Sequence, residues 1–202
     1  MQEILEAIVG KSISIVDLKS KTKKCFYVQT RDKSYRVDLL IPAHAPWYLK
    51  LAAIQNIANS SGIEVPKVLE TGLKERFFFK VSEWIDGCRV TKVQTSDEVL
   101  LKCGDIFGRL NRVITKDGFL TNSDFTGPNL VWSTDKRVFI VDTDAMKIVP
   151  EKRLDDTVVK SLLTWGIKKD RILLLLSAYS KYRDISGILG YAEALNWRWR
   201  KK

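Results

Sequence analysis

The chain has 202 residues, 45% of them hydrophobic, and 34 basic against 24 acidic residues give a formal net charge of +10. That length supports one compact domain or two small lobes with a real core, and the cation excess favours partners that carry phosphate or another anion. Cys25, Cys88 and Cys103 are an odd set with no CxxC pair, which excludes a paired zinc-ligand spacing and a small disulfide framework and predicts reduced cytosolic thiols. The opening "MQEILEAIVGK" has early acidic residues where a signal would be basic, and no run of about 18 apolar residues follows, so the expectation is a cytoplasmic chain with no cleaved signal and no transmembrane segment.

In chain order, "SISIVDL" reads as a strand, and "CFYVQT" and "YRVDLLI" flank the polar turn "RDKS" as a β-hairpin. A helix over "PWYLKLAAIQNIANSSG" follows from Pro46 near its start, apolar Leu49, Ala53, Ile54 and Ile57 at helical spacing, and Gly62 past its end. "VPKVLETG" and "RFFFKVSEWIDG" predict two more strands, the aromatic run belonging to the core. The front of the chain therefore reads as a five-stranded sheet with one helix, with a boundary near Gly87.

Ser96 and Asp97 can cap a helix whose apolar stripe is Val99, Leu100, Cys103, Ile106, Phe107 and Leu110. Two short strands, "NLVW" and "VFIVD", join through "STDKR", and "LDDTVVKSLLTWG" and "KDRILLLLSAYSKYRD" predict helices. With no internal repeat and no low-complexity segment, the fold class is α+β, sheet-rich in front and helical behind. The lone histidine, His44, falls in the loop "IPAHAP" and reads as a surface residue.

The stretch "TNSDFTGPNLVWSTDKRVFIVDTDAM" carries the densest chemistry. Asp124 and Asn129 flank a Gly-Pro loop before one strand, and Asp142 ends the next, so a hairpin can bring all three to one edge. Carboxylate and amide oxygens so placed suit Mg²⁺, which takes oxygen ligands and completes its shell with water and phosphate. The same residues also read as a solvated Asx turn and a polar strand end.

"NSDFTGPNLVW" followed by "VFIVDTD" resembles the catalytic loop and metal-binding strand of the protein-kinase-like superfamily, in the flavour of aminoglycoside and choline phosphotransferases, lipopolysaccharide sugar kinases and small RIO-type kinases. "GIEVPKVLETG", "FFFKVSEWIDG" and "IFGRLNRV" resemble the segments that precede that loop, in the same order, so the likeness runs from about Phe26 to Met146. It implies a two-lobed kinase-like fold, an N-terminal lobe over 1–87 and a mainly helical C-terminal lobe over 88–202. It further implies ATP and Mg²⁺ as cofactors, Asp124 as the catalytic base, Asn129 and Asp142 as metal ligands, and the backbone of Glu83 and Ile85 reading the adenine edge. The acceptor would be a hydroxyl of a small molecule or saccharide; the helices "RLDDTVVKSLLTWG" and "ILLLLSAYSKYRD" resemble the ends of the lipopolysaccharide sugar kinases.

Five departures accompany the resemblance. The usual strand lysine is absent from "KSYRVDLLIP", its position falling on Arg36, Asp38 or Leu40, which share one strand face. The following helix has no Glu; Leu51 stands where one is usual, and neither Lys50 nor Gln55 supplies a carboxylate. The phosphate-covering loop offers Lys19, Lys21, Lys23 and Lys24 in place of glycines, making Lys23, Lys24 and Arg36 the candidate phosphate contacts, or else a solvated basic turn. Asn122 replaces the usual loop histidine, and Asp144 adds a carboxylate after Asp142. The alternative function is a pseudokinase or an RNA- or protein-binding module that keeps the fold without phosphoryl transfer. The tail "NWRWRKK" alternates Trp and Arg, a pattern that suits stacking on RNA bases, an anionic surface, or plain packing of a last helix.

Overall fold

The computed structural model describes residues 1–18, 23–94 and 96–197. The chain divides into two compact units, Met1–Asn56 with Pro66–Trp84, and Ile57–Val65 with Ile85–Lys202.

The first unit opens with helix α1 (Gln2–Val9) and strands β1 (Ser12–Asp17), β2 (Lys24–Thr30) and β3 (Ser34–Leu40). Helix α2 (Ala45–Ser60), whose last turn belongs to the second unit, leads to β4 (Val68–Lys74) and β5 (Phe77–Glu83). All neighbours in the sheet β1-β2-β3-β5-β4 are antiparallel. The expected five strands are present, but the front half holds two helices where one was expected. Helix α1 escapes a periodicity reading because eight residues make barely two turns. Its Leu5 is buried against Phe26, Val28, Val37, Leu39, Phe77, Phe79 and Val81, with Ile4 and Ile8 packed alongside.

Strand alternation sends those side chains to the α1 face and their neighbours to the other face, where Leu40 and Phe78 meet Tyr48 of α2. The expected apolar stripe of α2 is rotated. Leu49 and Ala53 are exposed, while Tyr48, Leu51, Ala52, Ile54, Gln55 and Ala58 are buried. The pattern missed Tyr48 and Gln55 because both have a polar tip; the Gln55 amide donates to the Pro66 carbonyl, which compensates its burial.

On the same face lies Asp38, with no solvent exposure. Its Oδ2 is 3.1 Å from Lys23 Nζ and 3.6 Å from Lys80 Nζ, and its Oδ1 is 3.1 Å from Arg36 Nε. Burial alone would raise the carboxyl pKa, but Arg36, Lys23 and Lys80 together outweigh it and hold it well below the usual carboxylate range. The Cys25 thiol also hydrogen-bonds Asp38, and its pKa is pushed up to about 12, first by burial and then by the Asp38 charge.

The second unit begins with β6 (Gly87–Arg89) and helix α3 (Asp97–Arg112), whose six predicted apolar positions are all buried. Ser96 is at the N-cap position but makes no side-chain cap bond. Then come β7 (Ile114–Thr115), β8 (Gly118–Asn122), β9 (Leu130–Ser133), β10 (Val138–Ile140) and β11 (Met146–Val149). Helices α4 (Leu154–Trp165), α5 (Lys169–Tyr179) and α6 (Ser186–Ala194) close the unit. Two three-stranded sheets form, β10-β9-β6 and β11-β8-β7. The predicted β9–β10 hairpin and helices α4 and α5 are present; β6, β7, β8, β11 and α6 were not anticipated. A strand, not a direct passage into helix, thus follows "DTDA". At Gly104 on α3 an added Cβ would collide with the Leu175 carbonyl oxygen, so only glycine permits the observed approach of α3 to α5.

Residues 57–65 are held in the second unit by Arg109, which donates to the Gly62 carbonyl at 2.8 Å and pairs with Glu64 and Asp105, and by the Ile140 N–H, which donates to the Glu64 carbonyl. The unit division falls between Trp84 and Ile85, a few residues before the expected Gly87.

Asp38→Asn should destabilise the protein by about 3–5 kcal/mol, because it leaves buried cations without their carboxylate. In the wild type the depressed Asp38 pKa contributes stability that is complete above the unfolded carboxyl value of about 4 and is lost as pH falls below it. Urea unfolding at neutral and acidic pH checks both, the acid sensitivity being weaker in the variant.

Candidate active site

Strand β8 ends at Asn122, fully buried, and the chain turns through Ser123 and Asp124 to a short 3₁₀ turn at Gly127–Asn129 before β9. Asn122 works in two directions. Its Oδ1 accepts the Asp124 N–H at 2.8 Å, and its Nδ2 donates to the Asp142 carbonyl at 3.2 Å. One amide therefore ties the loop before β9 to the segment after β10. The ladder between β8 and β11, which pairs Asn122 with Met146, and the Ser123 N–H to Ala145 carbonyl bond add a second connection.

The Asn129 amide nitrogen donates to the Asp124 carboxylate Oδ2 at 2.8 Å and to the Asp124 carbonyl at 2.9 Å. The Thr126 hydroxyl donates to Asp124 Oδ1 at 3.4 Å. The Asn129 carbonyl accepts the N–H groups of Val141 and Asp142, at 3.0 and 3.4 Å. Because the amide nitrogen is committed to Asp124, the Asn129 Oδ1 points the other way, an oxygen suited to a hard cation. Asp142 caps the short 3₁₀ turn Thr143–Ala145, its Oδ1 accepting the Asp144 N–H at 3.4 Å. Asp124 and Asn129 are thus joined by side-chain hydrogen bonds, and Asn129 and Asp142 through their main chains.

The loop is also supported from behind. The Phe125 N–H donates to Ser161 Oγ of α4 at 2.6 Å, and the Phe125 ring stacks on Phe107 of α3 with centroids 4.0 Å apart. A Cβ at Gly127 would crowd the Trp165 indole and the Thr91 methyl, while Trp165 Nε1 donates to Gln94. These supports were not foreseen, since a buried serine or tryptophan on a helix carries no sequence mark of the loop it holds. Asn122 had one mark: it occupies the position of the family's loop histidine.

Among the described residues, no group of three His, Cys, Asp or Glu side chains could hold a metal. One carboxylate from Asp142 and one amide oxygen from Asn129 form a sparse set that fits Mg²⁺, which keeps several waters and takes its remaining ligands from phosphate.

The other sequence candidates are placed as follows. Lys23 and Arg36 share the Asp38 carboxylate, whereas Lys24 lies over the Phe77 ring, on the α1 side of the sheet. Asp38 is the β3 residue that faces Lys80 of β5, and Lys80 in turn meets Gln55 of α2. Glu83 ends β5 in the first unit, its N–H bonded to the Lys67 carbonyl, and Ile85 opens the second. His44 is exposed, as expected. Trp197 is packed rather than presented, its indole donating to Glu193 at 2.6 Å beneath the Lys169 ammonium. Lys19, Lys21 and the tail residues 198–202 lie outside the described residues.

Asn122→Leu should remove both halves of the clamp and leave the Asp124 N–H without its acceptor, lowering stability by about 1–3 kcal/mol. Chemical unfolding measures the loss, and faster amide exchange at Asp124 locates it.

No curated protein sequence matches the chain. Among solved structures, an aminoglycoside phosphotransferase from Streptomyces rimosus, in complex with ADP and streptomycin, superposes with a TM-score of 0.69 at 10% identity, covering 98% of this chain and 97% of that one. An aminoglycoside-3'-phosphotransferase of type VIII gives 0.69 at 13% identity, with 98% of each chain covered. The choline kinase of Streptococcus pneumoniae gives 0.65 at 13% identity, covering 88% and 78%. At such identities the likeness is one of fold, and the fold is kinase-like. Residues 50–173, more than half the sequence, match the model of the ABC1 atypical kinase-like domain, and the chain belongs to that family.

Proposed function

We propose that the protein is an ATP- and Mg²⁺-dependent phosphotransferase that acts on a hydroxyl of a small molecule or saccharide. The observation that carries this reading is the bonded set Asp124–Asn129–Asp142, in which Asn122 fixes the spacing between the loop and the strand end. Asp124 accepts the proton of, or orients, the attacking hydroxyl; its carboxylate is steadied by Asn129 and Thr126, so the geometry is set before an acceptor arrives. Asn129 and Asp142 hold Mg²⁺ through their side-chain oxygens. That ion supplies neutralisation of the phosphate charge during transfer. In the first unit, Lys23 and Arg36 are the phosphate contacts; Lys24, turned to the opposite face, is the weaker candidate. The Glu83 carbonyl and Ile85 N–H read the adenine edge.

The structural neighbours include enzymes for aminoglycosides and choline, which supports a small hydroxyl-bearing acceptor. A second reading has one observation in its favour: β3 carries no lysine, and the charged group it buries is the acid Asp38. It is a pseudokinase that binds nucleotide or a macromolecule and transfers nothing.

Two substitutions separate the readings. Asp142→Ala should abolish the Mg²⁺-dependent part of the thermal shift produced by ATP. Asp124→Asn should keep that shift and lower phosphate transfer to a hydroxyl acceptor, screened across sugars and amino alcohols, by about 10²–10⁴-fold. Metal-dependent ATP binding without transfer to any acceptor, in the wild type as in Asp124→Asn, would establish the pseudokinase.

A further inference from the structure

Lys80 interrupts an aromatic run at the middle of β5 and is only 3% exposed. An ammonium there forfeits hydration that an apolar residue would never need, so its partners have to compensate the loss. Its neighbours define what it does. Across the ladder is Asp38, whose Oδ2 it approaches at 3.6 Å, and the same oxygen receives Lys23 at 3.1 Å. Two ammonium groups therefore converge on a single oxygen atom, while Arg36 occupies the other. The Asp38 carboxylate holds these two like charges together at one point on this face of the sheet.

Helix α2 contributes a neutral partner. Gln55 is anchored by its amide N–H to the Pro66 carbonyl, which turns its Oε1 to Lys80 at 3.4 Å. A glutamate there would add a second carboxylate to the cluster; the amide orients the lysine without adding one. Tyr48 lies beneath both lysines, its ring centroid 5.1 Å from Lys23 Nζ and 5.7 Å from Lys80 Nζ, and fixes the stems of the pair.

We propose that Lys80 joins Lys23 as a phosphate contact of the nucleotide site, the two ammonium groups being positioned by Asp38 and Gln55. This inference rests on the nucleotide reading given above and adds Lys80 as the residue that takes over from the missing β3 lysine. Lysine suits the role as a compact point charge with three donors, and a buried amine meets phosphate in a low-dielectric setting where the contact is strong. Asp38 and Gln55 act as positioning residues and touch no phosphate.

The test is calorimetric titration of wild type and Lys80→Met with ADP and with adenosine, Mg²⁺ present throughout. ADP affinity should fall about ten- to a hundredfold in the variant, the size of a lost hydrogen bond to a charged group, while adenosine affinity stays within about twofold. Equal losses for both ligands would mark Lys80 as structural only, and unchanged ADP binding would overturn the inference while leaving the nucleotide site standing. A wild type that binds neither ligand overturns both this inference and the function on which it rests. Should Lys80→Met fail to fold, an ADP acyl-phosphate probe on the wild type replaces it. Acylation at Lys80 or Lys23, blocked by MgADP and mapped by peptide mass spectrometry, supports the pair; labelling confined to other lysines refutes it.

Discussion

A carboxylate closed off from water must be matched by cations, and Asp38 places that requirement at the centre of the first unit's sheet. Strands β2, β3 and β5 cannot register differently without separating Lys23 and Lys80 from the acid they share. A one-residue slip of β5 would carry Lys80 to the face occupied by Leu5 and Val28 and bring a phenyl ring against Asp38. The cluster thereby specifies the pairing as well as compensating the burial. The aromatic and aliphatic side chains on the other face could tolerate several arrangements; the charges tolerate one.

The second unit reaches definition by a different route. Its loop before β9 is held almost entirely by neutral hydrogen bonds from Asn122, Asn129, Thr126 and Ser161, backed by the Phe107–Phe125 stack. Amides and hydroxyls can orient a carboxylate without cancelling its charge, which is the condition a base and a metal ligand both require. The two units thus treat acids in opposite ways: Asp38 is surrounded by cations, whereas Asp124 and Asp142 are braced by groups that leave their charge available.

Much of this was legible from residue order. The five strands, the α3 stripe and the Asp–Asn–Asp set follow from alternation, helical spacing and turn chemistry, all of which are local. The elements that were missed are those whose existence is a tertiary matter. Helix α1 is stabilised by the sheet face it covers, β8 and β11 by their pairing with each other, and β7, with two residues, is too short to show a period. The α2 stripe was misplaced because Tyr48 and Gln55 count as polar in a pattern yet bury most of their surface. Lys80 was visible as a lysine in "FFFKV", but its relation to Asp38 depends on strand register, which no linear spacing reveals. The roles proposed within the loop come from the family resemblance, since the residues by themselves left them open.

The buried thiols carry a consequence for anyone wishing to follow this molecule in solution. Burial raises the pKa of both Cys25 and Cys103, the former to about 12, so neither offers appreciable thiolate near neutrality. Cys88, partly exposed on β6, is the third cysteine of the sequence. An electrophilic fluorophore or spin label should therefore mark the native protein at one known position, with no engineering of a cysteine-free background. That position adjoins β9, the strand that leaves the candidate catalytic loop, and a reporter there would sense order in the loop without occupying any of its hydrogen-bonding groups.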